Sequence, residues 1–157
     1  MKAMHKIVMV STMAMLFTAC SSRVVYSEYK NFPEDEWKSS DKAVFQMEMN
    51  DNTSFHDINL LVRHADTYPF RNLIVFVTVN YPDGASRTDT MDVLLANDKG
   101  EWLGAGAGDI YDLTIPVKKN LRLPLKGKYT FQFVHGMRPD PLPLIMDFGM
   151  SIEKSKN

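Results

Sequence analysis

Apolar and polar residues alternate along most of this chain, and this two-residue period constrains the fold more than any other feature. In segment 43–49 the odd positions are Ala, Phe, Met and Met, separated by Val, Gln and Glu. The same alternation recurs at 57–63, 90–95, 121–125, 129–133 and 147–153. Successive side chains of a β-strand point to opposite faces, so each segment is predicted to be a strand with one buried face. Segment 73–79, Leu-Ile-Val-Phe-Val-Thr-Val, is apolar on both faces and is predicted to be a central strand.

Turn sequences rich in Asn, Asp, Gly and Pro separate the predicted strands. They lie at 50–52, 82–84, 97–100, 126–127 and 138–141. Asp83-Gly84 is typical of a hairpin, and Pro33 followed by three acidic residues favours one short helical turn. Beyond the N-terminal region, no segment longer than one or two turns has the helical period of 3.6 residues. The sequence therefore predicts an all-β fold: a single β-sandwich of about eight to ten short antiparallel strands, with a jelly roll as one possible form.

The N-terminus has the pattern of a secretory signal. Lys2 and Lys6 precede the apolar run 7–17, and Thr and Ala stand immediately before Cys20, the only cysteine. We predict that this is a lipobox, so that Cys20 becomes the N-terminal residue and carries acyl chains such as palmitate. The alternative is an ordinary signal peptide, whose removal leaves a secreted protein with a free thiol. A free thiol is a liability in an oxidising compartment, and acylation removes it.

Three parts of the chain follow from this prediction. They are a signal peptide at 1–19, a lipidated N-terminus and tether at 20–30, and a β-sandwich domain at 31–157. An alternative is that segment 24–29 already forms a first strand. Removing Lys2 and Lys6 leaves 16 basic and 19 acidic residues, a net charge of −3. Without a basic stripe we expect no nucleic-acid partner, and without a second long apolar run we expect the membrane to be reached through the lipid on Cys20.

No sequence motif indicates catalysis, a cofactor or a metal. The Gly-Ala-Gly-Ala-Gly run at 104–108 lacks the glycine spacing and the following helix of a dinucleotide site, so we expect a flexible loop or bulge. Asp98, Glu101, Asp109 and Asp112 could supply oxygens to calcium but lack its loop spacing, and they are expected to bond loop backbone. A carboxylate pair for glycoside hydrolysis stays open from sequence alone. We therefore expect that the chain is not an enzyme and that it binds neither a cofactor nor a metal.

Seven residues in or beside the predicted loops are candidates for binding a partner. They are Tyr68, Arg71, Trp102, Asp109, Tyr111, Asp112 and Arg138. Aromatic residues and Arg dominate the energetics of interfaces, and loops on a stiff β scaffold are common binding sites. Each group also has a structural alternative. The aromatic residues could plug the ends of the sandwich, Arg71 could pair with an acid, and Arg138 could lock two loops by pairing with Asp109 or Asp112.

Several blocks of the chain together resemble a known family. They are Tyr-Pro-Phe-Arg-Asn-Leu at 68–73, Asp-Thr-Met at 89–91, Gly-Glu-Trp-Leu-Gly at 100–104, Gly-Asp-Ile-Tyr-Asp at 108–112, Gly-Lys-Tyr-Thr-Phe at 127–131 and His-Gly-Met-Arg-Pro-Asp-Pro-Leu-Pro at 135–143. In this order they resemble the gliding-motility lipoprotein GldH family of Bacteroidota. The resemblance implies a lipid-anchored, non-enzymatic accessory of the gliding machinery, which is entwined with type IX secretion, and it implies envelope protein partners. It carries over no catalytic residues.

The residues after Cys20 bear on the membrane. Position 21 is Ser rather than Asp, which argues against retention in the inner membrane, and no acidic run of the kind found on surface-exported lipoproteins follows. We expect an outer-membrane anchor with the sandwich on the periplasmic face. The rival hypothesis is a glycan- or peptidoglycan-binding module that uses Trp37, Trp102 and Tyr111 as a stacking platform.

Overall fold

The computed structural model describes residues 23–156, so the signal peptide and Cys20, with its predicted acylation, lie outside the described residues. This part of the chain contains one 3-10 turn, Pro33–Asp35, where a short turn was predicted. Its strands are β1 (Val24–Asn31), β2 (Glu36–Trp37), β3 (Ala43–Met49), β4 (Phe55–Ala65), β5 (Asn72–Asn80), β6 (Ser86–Leu94), β7 (Ala105–Ala107), β8 (Ile110–Arg122), β9 (Gly127–His135), β10 (Leu142–Pro143) and β11 (Ile145–Lys154). Across 23–156, no helix combines the length and apolarity needed to cross a membrane. The all-β prediction is confirmed.

The strands form two antiparallel sheets and a small two-stranded ribbon. The first sheet has the order β1-β11-β4-β8-β7, the second has the order β3-β9-β5-β6, and β2 pairs with β10. Among the eight strands of seven or more residues, the pairing is nested. The first pairs with the last (β1 with β11), the second with the seventh (β3 with β9), the third with the sixth (β4 with β8) and the fourth with the fifth (β5 with β6). This nesting is the jelly-roll arrangement, so the predicted sandwich is confirmed in its jelly-roll form.

The core lies between the two sheets. In β3 every odd residue is buried and every even residue is exposed, as the alternation predicted. Phe133 of β9 meets Phe148 of β11 across the sandwich, with ring centroids 5.1 Å apart. Because burying one such aromatic side chain stabilises the fold by about 1.5–3 kcal/mol, the alternating residues supply much of the driving force for folding.

The strand registers place the connections at two opposite ends of the sandwich. His64 pairs with Ile145 and Tyr111 at one end, whereas His56 pairs with Lys154 and Leu121 at the other. The end that we call the His64 end carries the connections 32–42, 66–71, 95–109 and 136–144. The opposite end, the Arg23 end, carries the connections 50–54, 81–85 and 123–126. Arg23 also lies there, and its guanidinium donates to the Lys154 carbonyl at 2.9 Å.

β8 differs from its prediction. The strand expected at 121–125 is wrong, because β8 starts at Ile110 and ends at Arg122. Pro124 has no N–H to donate to a ladder, and the Leu125 backbone is bonded instead to the Tyr129 hydroxyl at 3.1 and 3.2 Å. Most of the long strand therefore precedes the predicted one and lies in a segment for which no strand was predicted.

Two further predictions change in detail. The strand at 73–79 does lie centrally, between β9 and β6, although its outer face is partly open, with Phe76 44% exposed there. β1 begins at Val24, inside the predicted tether 20–30, and pairs with β11 as far as Asn31. The alternative of an early first strand is the one observed, and the sandwich begins before residue 31.

Candidate functional site

Three of the predicted partner-binding residues meet around a buried histidine at the His64 end. The ring centroids of Trp102, Tyr68 and Tyr111 lie 4.5, 5.6 and 5.9 Å from that of His64. Trp102 meets His64 edge-on, at 62°, and Tyr111 is nearly parallel to it, at 13°. Phe70 extends the group by an edge contact with Tyr68, at 5.6 Å. The cluster joins β4 and β8 to the connections 66–71 and 95–109.

The polar atoms of Tyr68 and Trp102 donate to backbone carbonyls at this end of the sandwich. The Tyr68 hydroxyl donates to the Asn72 carbonyl at 3.1 Å, and Trp102 Nε1 donates to the Asp66 carbonyl at 3.1 Å. Tyr68 is only 3% exposed, so it plugs the end of the sandwich rather than facing a partner. Trp102 and Tyr111 are half-buried and keep an accessible edge. The structural alternative therefore holds for Tyr68, and Trp102 and Tyr111 stay available for contact.

His64 is a neutral packing group. Its Nδ1 lies 2.7 Å from the Ala65 carbonyl, so this nitrogen carries the proton and donates. Nε2 is buried without a hydrogen-bond partner among the described residues. Burial lowers the pKa of His64, because desolvation disfavours the charged imidazolium. Burial likewise raises the pKa of the Tyr68 phenol, so neither ring carries charge near neutral pH.

The glycines at 104 and 106 allow β7 and the residue before it to lie close to the start of β8. Residues 105–107 form β7, which pairs with the start of β8, so the expected flexible loop is wrong for this stretch. A Cβ on Gly106 would lie 2.9 Å from Cε1 of Tyr111, and a Cβ on Gly104 (φ +148°) would lie 2.5 Å from the Asp112 carbonyl oxygen. Glycine is required because the ring of Tyr111 lies against β7.

Asp112 belongs to a charged network on the outer face of the first sheet. Arg63 Nε donates to Asp112 Oδ1 at 2.7 Å, and Arg63 Nη1 donates to Asp147 Oδ2 at 3.0 Å. Asn31 Nδ2 donates to the other oxygen of Asp147 at 3.0 Å. The bonds to Asp112 raise the pKa of the Arg63 guanidinium. The alternative in which Arg138 pairs with Asp112 is therefore wrong, because Asp112 pairs with Arg63, and the Arg63 network ties β1, β11, β4 and β8 together.

The remaining candidates lie in different loops of the His64 end. Arg71 Nη2 donates to Asp98 Oδ1 at 2.6 Å while about half of the Arg71 side chain stays exposed. The Asp109 carbonyl accepts the Asp66 N–H at 2.8 Å, and its side chain is exposed. Arg138 is exposed and forms no ion pair with residues 23–156. Both arginines can therefore reach a partner.

A stacking platform that includes Trp37 is not formed. Trp37 is fully buried, stacks on Phe32 at 4.7 Å and donates its Nε1 proton to the Asp41 carbonyl at 3.0 Å. It is therefore part of the core, and the rival hypothesis is wrong in assigning it a glycan contact. The planes of Trp102 and Tyr111 are inclined by 49°, so these two rings do not offer one flat surface.

Two of the four acids considered as calcium ligands pair with arginines rather than with loop backbone: Asp98 with Arg71 and Asp112 with Arg63. Among residues 23–156, no three His, Cys, Asp or Glu side chains are grouped to hold a metal ion. The sequence offered a weak signal for Arg63, a charged residue directly after the apolar run 60–62. It offered none for Asp147, because the strand pairing that brings these side chains together spans 84 positions.

The family model and the two relatives compared by sequence agree with one another. The GldH lipoprotein family model matches residues 24–152. A protein named gliding motility lipoprotein GldH homolog, from Christiangramia forsetii, is 30% identical over 149 residues, covering 90% of this chain and 91% of that protein. The gliding motility lipoprotein GldH of Flavobacterium johnsoniae is 28% identical over 148 residues, with the same two shares. Among solved structures, a chain of an IBDV viral particle is 12% identical with a TM-score of 0.35, over 85% of this chain and 32% of that one, which is too loose to carry an argument.

Proposed function

The chain belongs to the GldH lipoprotein family, and from that premise we propose that it is a non-enzymatic accessory of an envelope assembly linked to gliding motility and type IX secretion. In this proposal, lipid on Cys20 holds the Arg23 end at the membrane. The His64 end then binds a protein partner.

The observation that carries this proposal is the placement of the candidate residues relative to the start of the sandwich. Cys20 precedes Val24 by four residues, which reach about 14 Å when fully extended. The Arg23 end therefore stays close to the lipid. The eleven residues of β4 extend about 35 Å from that end to the other. All seven predicted candidates lie at the far end, at the loops or the adjacent start of β8, which favours contact with a partner beyond the lipid headgroups.

A mixed apolar and cationic surface at the His64 end suits a protein contact. Leu94 and Leu103 are 50% and 43% exposed. The Leu95 N–H donates to the Arg71 carbonyl at 2.8 Å, and the Leu103 N–H donates to the Leu95 carbonyl at 2.8 Å, so these segments are neighbours. We call Arg71, Leu94, Trp102 and Leu103 the Arg71 surface. Arg, Trp and exposed apolar side chains are the residues that supply affinity at protein interfaces.

The buried histidines support a non-enzymatic role. His56, His64 and His135 are each at most 3% exposed, so a substrate cannot reach their imidazoles as the chain is folded. The acids Asp98 and Asp112 are held by arginines rather than poised opposite each other. A general acid or base must reach the reacting atom, and neither group is arranged to do so.

For the location, we propose the outer membrane with the sandwich on the periplasmic side. The support is Ser21, in place of Asp, and the lack of an acidic run directly after Cys20. A partner must then be reachable from a short tether, which suits a protein of the periplasm or of the outer membrane itself.

Affinity capture tests the proposed function. The tagged full-length lipoprotein is crosslinked in its host cells, isolated, and its partners are identified by mass spectrometry. We expect an envelope protein, and we expect the double variant Arg71→Ala, Leu103→Ala to lose most of it. Arg122→Ala, at the Arg23 end, is the matched control and should retain the partner. Recovery of no envelope protein, or equal loss in the control, would contradict the proposal.

Two companion measurements separate the alternatives. Retention of the purified lipoprotein on isolated sacculi, in the absence of other proteins, would favour the peptidoglycan-binding alternative over protein partnership. Deletion of the gene in a gliding host should abolish colony spreading. Expression of the wild-type chain should restore spreading, whereas expression of the Arg71 and Leu103 double variant should not.

A further inference from the structure

A cavity of about 250 Å³ opens between the two sheets near the Arg23 end, well away from the partner-binding candidates. Its walls are formed mainly by aliphatic and aromatic side chains of both sheets. They include Ile58 and Leu60 of β4, Val77 and Val79 of β5, and Phe131 of β9. Tyr81 lines it at the β5–β6 turn. An apolar concave site with a few polar groups at its mouth is the usual form of a small-molecule site.

The cavity exists because the two sheets separate along one edge. On β6, Val93 is buried, Met91 is half-buried, and Asp89 and Arg87 are exposed, although all four lie on the inner face. Burial also decreases along the inner face of β8, where Leu113 is buried and Ile115 and Val117 are half-buried. β6 pairs only with β5, and β7 covers only the first residues of β8. Within residues 23–156, no further strand closes this edge.

We propose that the cavity binds the acyl chain of a single-chain anionic amphiphile, a fatty acid. An apolar cavity of about 150 Å³ already accepts benzene. A volume of about 250 Å³ therefore accommodates a longer single chain but not the two chains of a phospholipid. The apolar walls supply the driving force for burying methylene groups, at about 0.8 kcal/mol for each CH₂.

The charges at the mouth select an anionic head group. Arg87 and Lys118 line the opening against one acid, Asp89, which leaves a positive balance. Arg87 Nη2 lies 3.6 Å from Asp89 Oδ2, and both side chains are exposed, so the guanidinium is free to turn toward a carboxylate. A carboxylate held there stays in water while its chain is buried, which avoids the cost of burying charge.

A donated β-strand suits this opening less well than an acyl chain. The exposed stretch of β8 contains Pro116, which lacks a backbone donor, and the charged pair Lys118 and Lys119. Arg87 and Asp89 point inward on β6. Prolines, lysines and inward-pointing charges on an edge strand hinder pairing with another strand. An acyl chain needs no backbone hydrogen bonds, so the proline, the lysines and the inward-pointing charges do not hinder its binding.

Tryptophan quenching tests this site in the full-length lipoprotein, reconstituted in vesicles of phosphatidylcholine. Tyr81→Trp places a reporter in the cavity wall, whereas native Trp37 and Trp102 lie at the other end. Titration with brominated stearate should quench the added tryptophan saturably while the native tryptophans lose little intensity, and oleate should reverse the effect. Arg87→Glu in the same background should weaken the apparent affinity about tenfold, because attraction for the carboxylate becomes repulsion.

Two controls decide between the outcomes. Val79→Phe narrows the cavity and should reduce quenching, with circular dichroism used to verify that the strands persist. Vesicles made of brominated phosphatidylcholine report simple contact with the bilayer, and they should quench the added tryptophan weakly. Equal quenching by the brominated phospholipid, non-saturable quenching by stearate, or no response to Arg87→Glu would each overturn the proposal.

Discussion

At the scale of single residues, Asp147 is the charge whose burial most needs explanation. Its side chain is largely buried, and its two oxygens accept hydrogen bonds from Arg63 and Asn31. Burying a carboxylate is costly unless it is paired and hydrogen-bonded. The network therefore stabilises the first sheet chiefly by satisfying Asp147.

We predict that Arg63→Met lowers the free energy of unfolding by about 1–3 kcal/mol, because it leaves Asp147 partly unsatisfied while keeping an apolar stem. Urea denaturation measures the loss. Arg87→Met is the matched control, since the pair between Arg87 and Asp89 is exposed and such pairs contribute roughly 0–1 kcal/mol. Equal losses of unfolding free energy in the two variants would show that the Arg63 network contributes no more than an exposed ion pair.

The buried histidines make stability dependent on pH. Burial lowers the pKa of His64 and of His135 below the ordinary value of 6.5. As the pH falls through 6.5, these histidines become protonated in the unfolded chain but stay neutral in the folded chain. The free energy of unfolding therefore decreases below that pH. The decrease is at most about 1.4 kcal/mol per pH unit for each histidine, and it ends when the pH passes the lowered folded pKa.

We therefore predict a loss of stability between about pH 6.5 and pH 5, above the range in which carboxyl groups titrate. The double variant His64→Phe, His135→Phe should show a flatter dependence, measured by urea unfolding at a series of pH values. An unchanged slope in the double variant would assign the acid sensitivity to other groups.

At the scale of elements, β1 attaches to the sandwich where Gly149 lets two strands approach closely. A Cβ on Gly149 would lie 2.4 Å from the Glu28 carbonyl oxygen and 2.9 Å from Cδ1 of Tyr29. No rearrangement of a flexible side chain relieves the clash with a backbone oxygen. This position therefore ties the strand nearest the predicted anchor to the rest of the sheet.

We predict that Gly149→Ala loosens β1 and speeds amide hydrogen exchange across 24–31, while β3 and β9 keep their protection. Gly84→Ala is the control, because its Cβ meets open space and only the positive φ of +86° opposes it. That strain costs about 1–2 kcal/mol without displacing a strand. Unchanged exchange in β1 of the Gly149 variant would contradict the close approach.

The elements that were predictable are those with unbroken alternation. β3 and β9 follow it throughout, and Asp83-Gly84 forms the turn between β5 and β6, with the Gly84 N–H donating to the Tyr81 carbonyl at 3.0 Å. β8 was misplaced because Pro116 and the adjoining lysines interrupt its apolar residues. The burial of β4 and β11 depends on neighbouring strands far away in sequence, which local periodicity does not encode.

At the scale of the whole molecule, the jelly roll separates the Arg23 end, which follows the predicted lipid anchor, from the His64 end, which carries the predicted partner-binding residues. Loops carrying Tyr68, Trp102 and Arg138 lie at the same end because the antiparallel strands send alternate connections to each end of the sandwich. The sequence marked these residues as candidates by their chemistry. It could not show that they share one end, since that depends on long-range pairing such as β1 with β11.

Site-specific photo-crosslinking in living cells tests most directly the claim that the His64 end binds the partner. A benzophenone amino acid replaces Leu103 at the His64 end or, as the matched position, Phe55 at the Arg23 end, which is 50% exposed. We predict a discrete crosslink from position 103 to one envelope protein, with none to that protein from position 55. A crosslink from position 55 alone, or equal crosslinking from both positions, would contradict the account.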